Sequence, residues 1–315
     1  MFSVLFLSEK KCYTDVTMER TLEYIITDEF HNKTIEQVLK TFEFPHQAII
    51  QLKKTEKGIL RNGTWAYTSE KLNPGDILTL HLVEDVVPSS IEPIFVPLQI
   101  IYEDEDLLVI DKAANMPIHP SMNHHEGTVA NGLMYYFKEQ GKEFTFRAIN
   151  RLDRDTSGLT MVAKHLLSGG ILSRQVSTKE IKRTYQAICQ GKLPEQGTID
   201  APIARVADST IERCVDFEKG ERAVTHYKRI AYDEEKELSL VELQLETGRT
   251  HQIRVHLKHL GYPIIGDFLY NPDYTYCQRQ ALHSASLKFT HPITKKEMHF
   301  ASSLPEDLKC IFPHI

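Results

Sequence analysis

The residues from Asn150 to Gly158 combine the side chains that a carboxylate-based enzyme uses. Nine residues bring together two carboxylates (Asp153 and Asp155), two arginines, two hydroxyl groups and a glycine. A carboxylate that lies against a substrate can act as a nucleophile or as a general base. The same residue types are typical of a capped turn, because Asp, Thr and Ser side chains bond to nearby backbone groups. The segment is therefore a candidate catalytic loop, and a structural turn is its ordinary alternative.

Two other uses of these carboxylates can be weighed from the sequence. Asp153, Asp155, Ser157 and Gly158 match the first, third, fifth and sixth positions of an EF-hand calcium loop. The twelfth position of that loop must supply a bidentate glutamate, and here it is Lys164, which excludes calcium. A glycosidase would also use paired carboxylates, and a retaining glycosidase requires them about 5–5.5 Å apart and facing one substrate.

A basic segment runs from Arg249 to Gly266 without any acidic residue, although the whole chain is acidic. We predict a helix here that has Thr250 as its N-cap and stops at Gly261. Helical spacing gives it an apolar face and a polar face, formed respectively by Ile253, Leu257 and Leu260, and by His251, Arg254 and Lys258. Free N–H groups at a helix N-terminus favour anions. The segment is a candidate anion-binding surface, and a solvated basic face is the ordinary alternative.

A third segment, 182–191, alternates as a strand does and carries Tyr185. In isolation a tyrosine on a strand is more often a core aromatic residue than a catalyst. No Cys or His cluster has the spacing of a zinc site, and the five cysteines are scattered and odd in number. The sequence therefore predicts neither a metal site nor a disulfide framework.

In their order along the chain and in their amino-acid sequences, these segments resemble the RluA-type family of pseudouridine synthases, which modifies large-subunit rRNA and tRNA. The matching motifs are Arg-Leu-Asp-x-Asp-Thr-Ser-Gly-Leu at 151–159, Lys-Arg-x-Tyr-x-Ala at 182–187 and Thr-Gly-Arg-x-His-Gln-Ile-Arg-Val-His-Leu at 247–257. Further matches are Gly-Tyr-Pro-Ile-Ile-Gly-Asp at 261–267 and Leu-His-Ser-Ala-Ser-Leu at 282–287. The resemblance covers roughly residues 101–305.

The resemblance implies an enzyme that isomerises uridine in RNA. It assigns the catalytic carboxylate to Asp153, the cation beside it to Arg254, and the active-site tyrosine that stacks on the base to Tyr185. Arg151 matches the position expected to fill the gap left by a flipped-out uridine. The remaining substrate-binding candidates are Arg249, His251 and Leu282. Because isomerisation neither adds nor removes atoms, we expect no cofactor and no metal, and the expected partner is rRNA or tRNA.

One position departs from the family pattern, in which a histidine usually precedes Arg-Leu-Asp. Asn150 stands there in this chain. Asparagine can keep a hydrogen bond but cannot titrate, so we expect a local adjustment rather than loss of activity. A non-catalytic RNA-binding relative is an alternative from another functional class. Such a relative should have lost Asp153, Tyr185 or Arg254, and all three are present.

The secondary structure elements that must position these residues predict an α+β fold. Strand-like runs lie at 107–110, 159–163, 184–189 and 241–246, and helical segments lie near 128–140, 166–176 and 250–260. Several strands interrupted by a few helices predict a mixed, mostly antiparallel central sheet. Residues 33–82 predict a smaller unit with two short helices, a hairpin at Asn62–Gly63 and a last strand. That unit partly resembles the small RNA-binding module of many family members.

Composition sets the remaining expectations. We predict an N-terminal module at 1–85, a proline-bearing linker at 86–97 and a catalytic domain at 98–315. The net charge is −6, so an RNA partner requires locally concentrated positive charge. The apolar run at 2–7 is too short for a signal peptide or a membrane span. We expect a cytoplasmic protein that is a monomer and does not associate with membranes.

Overall fold

In a computed structural model, the chain is described for residues 18–84, 89–121 and 124–313. The apolar run at 2–7 therefore lies outside the described residues. No helix within the described ranges is both long and apolar enough to cross a membrane.

The N-terminal residues form a four-stranded sheet covered by two helices. Its elements are β1 (Met18–Ile25), α1 (Ile35–Thr41), α2 (His46–Lys54), β2 (Ile59–Arg61), β3 (Thr64–Trp65) and β4 (Ile77–Glu84). The strand order is β1-β4-β2-β3. Thr34 caps α1 in a capping box with Gln37, as predicted. Asn62 and Gly63 form the turn between β2 and β3, and both have positive φ, as such a hairpin requires.

The first strand of this sheet was not predicted. Strand β1 pairs antiparallel with the whole of β4, from Met18 opposite Glu84 to Ile25 opposite Ile77. It buries Leu22 and Tyr24 in the module core. Polar residues alternate with these apolar ones, as expected for a strand that has one covered face. The predicted compact unit, 33–82, therefore lacks one of its two long strands.

A second sheet of ten strands carries the remainder of the fold. Its main path runs β10-β13-β14-β9-β15-β8-β6-β5, while β16 pairs with β15 and β7 pairs with β8. The strands are β5 (Gln99–Glu103), β6 (Leu107–Lys112), β7 (Arg147–Ala148), β8 (Ser157–Ala163), β9 (Lys182–Gln190), β10 (Gln196–Asp200), β13 (Val224–Asp233), β14 (Leu238–Leu245), β15 (Leu282–Thr290) and β16 (Glu297–Ala301). A separate two-stranded sheet joins β11 (Ile203–Arg205) to β12 (Arg213–Val215). The helices are α3 (Val129–Glu139), α4 (Leu166–Ser177), α5 (Gln252–His259) and α6 (Glu306–Lys309).

The predicted α+β class with a mixed, mostly antiparallel sheet is confirmed. Among the described strands, the one parallel pair joins β8 to β15 through His283 opposite Ser157 and Ser284 opposite Gly158. Gly158 has φ +103°, and a Cβ added there would overlap the backbone of Ser284. Only glycine combines this conformation with so close an approach of two strands. Ser284 also lies opposite Tyr185 of β9, so the end of the Asp153 loop is fixed beside the tyrosine strand.

The four-stranded unit packs directly against the ten-stranded part. Leu167 and Ile171 of α4, together with Ile293, belong to the same buried apolar cluster as the module core. Ion pairs surround this contact. Arg20 Nε lies 2.9 Å from Asp106 Oδ1, and Arg147 Nη2 lies 2.7 Å from Glu84 Oε2. The predicted division into domains at 86–97 remains a prediction, and the two parts it separates share a core.

A pair of neighbouring glycines in α4 provides a test of this packing. A Cβ added at Gly170 would overlap the ring of Pro45 at the start of α2. A Cβ added at Gly169 would instead meet the flexible Arg147 side chain, with Cδ at 3.3 Å. We expect Gly170→Ala to destabilise the protein by about 1–3 kcal/mol through overpacking. Gly169→Ala gains the same helix propensity, about 0.5–1 kcal/mol, and should be neutral or stabilising. Denaturant unfolding of both variants measures the difference. Equal melting behaviour would mean that the module does not press on α4 at this point.

The described part of the predicted linker lies along α3. Asn131 Nδ2 donates to the Glu92 carbonyl at 2.9 Å, and Ile94 N donates to the Asn131 carbonyl at 3.3 Å. Val96 and Leu98 flank Gly132, where a Cβ would be too close to both side chains. Residues 89–97 therefore follow a defined path on the surface of the ten-stranded part.

Candidate active site

A cavity of about 520 Å³ opens between the Asp153 loop, strand β9 and the start of α5. This volume lies within the usual range of small-ligand pockets, about 300–1,000 Å³. All seven residues that the sequence analysis singled out line it, namely Arg151, Asp153, Tyr185, Arg249, His251, Arg254 and Leu282. Four segments far apart in the chain therefore meet at one site.

A buried arginine links two carboxylates at the floor of the cavity. Arg254 Nη1 donates to Asp153 Oδ2 at 2.8 Å, while Nε and Nη2 donate to the two oxygens of Asp267 at 2.7 Å each. The side chains of Arg254 and Asp267 are 2% and 0% exposed, whereas that of Asp153 is 28% exposed. Asp153 is therefore the carboxylate of this trio that can meet a substrate.

The charge of Arg254 is favoured by its surroundings. Burial acts to lower the pKa of its guanidinium, but hydrogen bonds and the charges of Asp267 and Asp153 outweigh burial and raise it. The ring of Tyr270 lies 5.0 Å from the guanidinium carbon, which adds a cation–π contact. Arg254 therefore presents its positive charge directly to the Asp153 carboxylate.

Tyr185 lies on the wall of the cavity, at the middle of β9. It is 5% exposed and packs in the same apolar cluster as Leu152 and Leu282. Burial raises the pKa of its phenol and the charge of Asp153 acts in the same direction, while Arg183 and a hydrogen bond with Ser284 oppose them. The phenol is therefore neutral at pH 7, and it can act as a stacking surface or as a hydrogen-bond donor.

The loop that carries Asp153 is anchored on both sides. Asn150 is 3% exposed, and its amide bonds to the backbone of β8, with Nδ2 donating to Leu159 O at 3.2 Å and Oδ1 accepting from Met161 N at 2.8 Å. The asparagine that replaces the usual histidine therefore uses both a donor and an acceptor. An uncharged histidine also offers one of each. In this chain the Asn150 side chain ties the start of the loop to β8 at the edge of the cavity.

Lys112 fixes the other side of the loop. Its ammonium donates to the carbonyls of Ala113, Met116 and Arg154 at 2.8–3.0 Å, which uses all three N–H groups of the protonated form. Burial lowers the pKa of Lys112 to about 7, against the opposing charges of Asp155 and Asp153. The residue that follows Asp153 is thus held by the buried amino group of Lys112.

The side chains of the remaining predicted residues differ in how far neighbouring groups already bind them. Arg151 is exposed and makes no hydrogen bond or ion pair with any described residue, so its side chain is available to a ligand. Arg249 is engaged in an ion pair with Glu221 and donates to the Arg222 carbonyl at 3.2 Å. Leu282 is 4% exposed and contributes an apolar patch to the wall.

The predicted start of the basic helix was wrong by one residue. Helix α5 spans Gln252–His259, and its N-cap is His251 in the left-handed conformation, with φ +56°. The side chain of Gln252 accepts from Arg249 N and from the Thr247 hydroxyl, so it replaces Thr250 as the group that ties the preceding turn. His251 consequently projects into the cavity from the turn and does not share a helical face with Arg254 and Lys258.

Several residues of the site were not singled out from the sequence. Asp267, Arg183, Thr156 and Gln280 complete the surroundings of Asp153 and Tyr185. Gln280 Nε2 donates to Thr156 Oγ1 at 2.7 Å and lies 3.5 Å from Asp153 Oδ2. Asp267, Arg183 and Thr156 lie inside the motifs given in the sequence analysis, and this position could have identified them. Gln280 lies outside those motifs, and no local sequence pattern distinguishes it.

Asp155 does not share the cavity with Asp153. Its carboxylate forms a two-bond ion pair with Arg154, with both distances near 3 Å, and it is not among the cavity residues. The glycosidase alternative required both carboxylates to face one substrate. The geometry therefore disfavours it.

One group of potential metal ligands exists within the described ranges. Ligand atoms of Asp104, Asp106 and His291 all lie within 4.8 Å of one another. These carboxylates already accept from the Tyr102 hydroxyl at 2.6 Å and from Arg20 Nε at 2.9 Å, and the guanidinium brings positive charge to the same place. The group is better described as the ion-pair network beneath the N-terminal module, and the expectation of a metal-free enzyme remains a prediction.

Comparisons with known proteins agree with this geometry. A family model described as RNA pseudouridylate synthase matches residues 106–259. An uncharacterized RNA pseudouridine synthase of Bacillus subtilis, YhcT, is 39% identical over 92% of this chain and 96% of its own length. The chain belongs to the RNA pseudouridine synthase family. As a member of that family it is an isomerase that modifies RNA.

Other relatives of this synthase carry more specific names. The ribosomal large subunit pseudouridine synthase D of Zymomonas mobilis is 40% identical over 71% of this chain and 75% of its own. Among solved structures, human RNA pseudouridylate synthase domain containing 1 superposes with a TM-score of 0.55 at 26% identity, covering 69% of this chain and 86% of that one. The resemblance inferred from the motifs, to the RluA-type family, is thereby confirmed.

Proposed function

We propose that this synthase converts specific uridines of ribosomal RNA to pseudouridine, with Asp153 as the catalytic carboxylate. The observation that carries the proposal is the Asp153–Arg254 pair at the floor of a cavity of nucleotide size. Asp153 is the partly exposed acid of a charge network that is otherwise buried. Tyr185 forms the wall beside it, and the unpaired Arg151 lies at the same cavity.

The proposed roles follow from the bonds that change. The bond from ribose C1′ to uracil N1 breaks, the base turns, and C1′ bonds to C5. The hydrogen on C5 leaves as a proton and N1 gains one, so atoms balance within the nucleoside. Asp153 acts as the nucleophile or base that opens this sequence, with Arg254 compensating its charge. Tyr185 stacks on the base, and its phenol assists proton removal from C5.

The substrate must present its uridine outside a helical stack. Flipping a base costs a few kcal/mol and least where the base is already unpaired, so loops and bulges are the favoured targets. Arg151 would then occupy the space that the base leaves. Ribosomal RNA is proposed over tRNA because relatives such as the Zymomonas protein are named for the large ribosomal subunit. A monomer in the cytoplasm, without metal or cofactor, completes the proposal.

Release of the C5 hydrogen provides the assay. Unmodified transcripts of large-subunit rRNA and of tRNA, labelled with tritium at uracil C5, are incubated with the protein in the presence of a chelator. We expect tritium release from the rRNA transcript and the appearance of pseudouridine at discrete positions by mass spectrometry. Release from tRNA alone would replace rRNA as the substrate. Activity that disappears with the chelator and returns with a defined metal would overturn the metal-free mechanism.

A further inference from the structure

The proposed roles do not use His251, whose imidazole also lines the cavity. Nδ1 of the same ring lies 2.9 Å from the phenol oxygen of Tyr270. Nε2 has no hydrogen-bond partner within the described part of the chain, and it is not among the buried unpaired atoms. Since His251 lines the cavity, this nitrogen is open to a bound substrate.

Tyr270 decides which nitrogen of His251 carries the proton. Tyr270 is 6% exposed, and its phenol oxygen accepts from the backbone N–H of Arg213 at 2.9 Å. If Nδ1 also donated to this oxygen, the phenol proton would have no acceptor among the described residues, and an unmade buried hydrogen bond costs free energy. If the phenol donates to Nδ1, all three groups are satisfied. The imidazole then carries its proton on Nε2, which faces the cavity.

The surroundings also determine the charge of this ring. Burial lowers the pKa of His251 below its ordinary value, and the cations Arg254 and Arg213 act in the same direction. The carboxylates of Asp153 and Asp267 oppose this shift without overcoming it. At pH 7 the ring is therefore neutral. It offers a single N–H donor to the cavity.

The backbone holds the ring at this position. His251 has φ +56°, a conformation that non-glycine residues adopt only when the surrounding structure imposes it. The turn is tied by Val255 N, which donates to the His251 carbonyl at 2.9 Å, and by the side chain of Gln252. The strain belongs to the residue that faces the cavity, as is common at binding sites.

We propose that His251 donates a hydrogen bond from Nε2 to a carbonyl oxygen of the target uracil, and that Tyr270 is the positioning residue that sets its tautomer. This inference rests on the proposed function. A neutral acceptor is favoured over a phosphate because the Asp153 carboxylate shares the cavity. The turn that exchanges N1 and C5 of uracil also exchanges its two carbonyl groups. One fixed donor therefore serves both the uridine and the pseudouridine orientation of the base.

The tautomer can be measured without any substrate. Protein labelled with ¹⁵N at the histidine ring nitrogens is examined by long-range ¹H–¹⁵N NMR, and the His251 signals are assigned as those missing from His251→Gln. We expect a protonated Nε2 and an unprotonated Nδ1 at pH 7, and a mixture of tautomers in Tyr270→Phe. A protonated Nδ1 in the wild type, either as the other tautomer or as imidazolium, would overturn the inference.

A matched pair of variants tests the contact with uracil. Gln and Leu are similar in size and unbranched at Cβ, so both bear the same backbone strain at position 251. In the tritium-release assay we expect His251→Leu to lower kcat/KM by at least about tenfold and His251→Gln, which keeps an N–H donor, to recover part of the loss. Tyr270→Phe should also lower kcat/KM, and it supplies the comparison if His251→Leu does not fold.

The outcomes separate this inference from the proposed function. A wild type that releases tritium, together with a His251→Leu variant that is equally active, would overturn the inference alone. A wild type that releases no tritium from any transcript would overturn the proposed function and, with it, the assignment to uracil. The tautomer result would stand in either case, because it is measured on the free protein.

Discussion

Asp153→Asn is expected to abolish pseudouridine formation while leaving the fold unchanged. Asparagine has the same shape as aspartate, and its amide oxygen can still accept from Arg254 Nη1, which now lies 2.8 Å from Asp153 Oδ2. It cannot act as a nucleophile or as a base. Groups of that kind contribute about 10²–10⁴-fold to rate as acid–base catalysts, and more when they form the covalent bond. We therefore expect kcat to fall by at least about 10³-fold.

The matched control is Asp155→Asn, two residues along the same loop. Asp155 lies outside the cavity and pairs with Arg154, so its loss should lower stability more than turnover. Tritium release, thermal melting and RNA binding are measured for both variants. Turnover of Asp153→Asn near the wild-type rate would remove Asp153 from the chemistry, whereas a lower melting temperature with partial activity would assign it a structural role.

Arg254→Met should have the largest effect on stability of any single change at the site. It would leave Asp267, whose side chain is fully buried, with two backbone N–H donors among the described residues, from Leu269 and Tyr270 at 3.1 and 3.2 Å. Removing one partner of a buried ion pair typically costs about 3–5 kcal/mol. Activity should also be lost, because Asp153 would lose its only cation partner among the described ion pairs.

Two further variants separate the structural from the chemical part of this effect. Arg254→Met combined with Asp267→Leu removes both buried charges, and such replacement by apolar residues is often neutral, so part of the lost stability should return. Activity should not return. Arg254→Lys keeps the charge but lacks the planar fork that now contacts two carboxylates, and it should lose activity sharply. Denaturant unfolding and tritium release are measured on all three. Full activity of Arg254→Lys would show that the fork is dispensable.

The position of the N-terminal module illustrates where sequence reasoning was limited. Capping and turn signals predicted α1 and the β2–β3 hairpin, because those signals act over a few residues. Two basic side chains of the module are partly neutralised in the folded protein, since Lys53 pairs with Glu36 and Arg61 with Asp76. Whether the module binds RNA therefore remains a prediction. Its contact with α4 depends on Gly170 and Ile171, which carry no signal of their own.

Local patterns in the amino-acid sequence identified the candidate site residues and part of the secondary structure of this protein. Its motifs named the acid, the tyrosine and the arginine as site candidates, and its periodicities predicted strands such as β6, β8, β9 and β14, because both depend on neighbouring residues. The contacts between these groups follow instead from the tertiary structure. Asp153 and Arg254 are 101 residues apart, and their contact required the parallel pairing at Gly158 and the burial of Asp267. The donor on His251 is set by Tyr270 and the backbone of Arg213. Such contacts are made by long-range packing, which leaves no periodic signal in the chain.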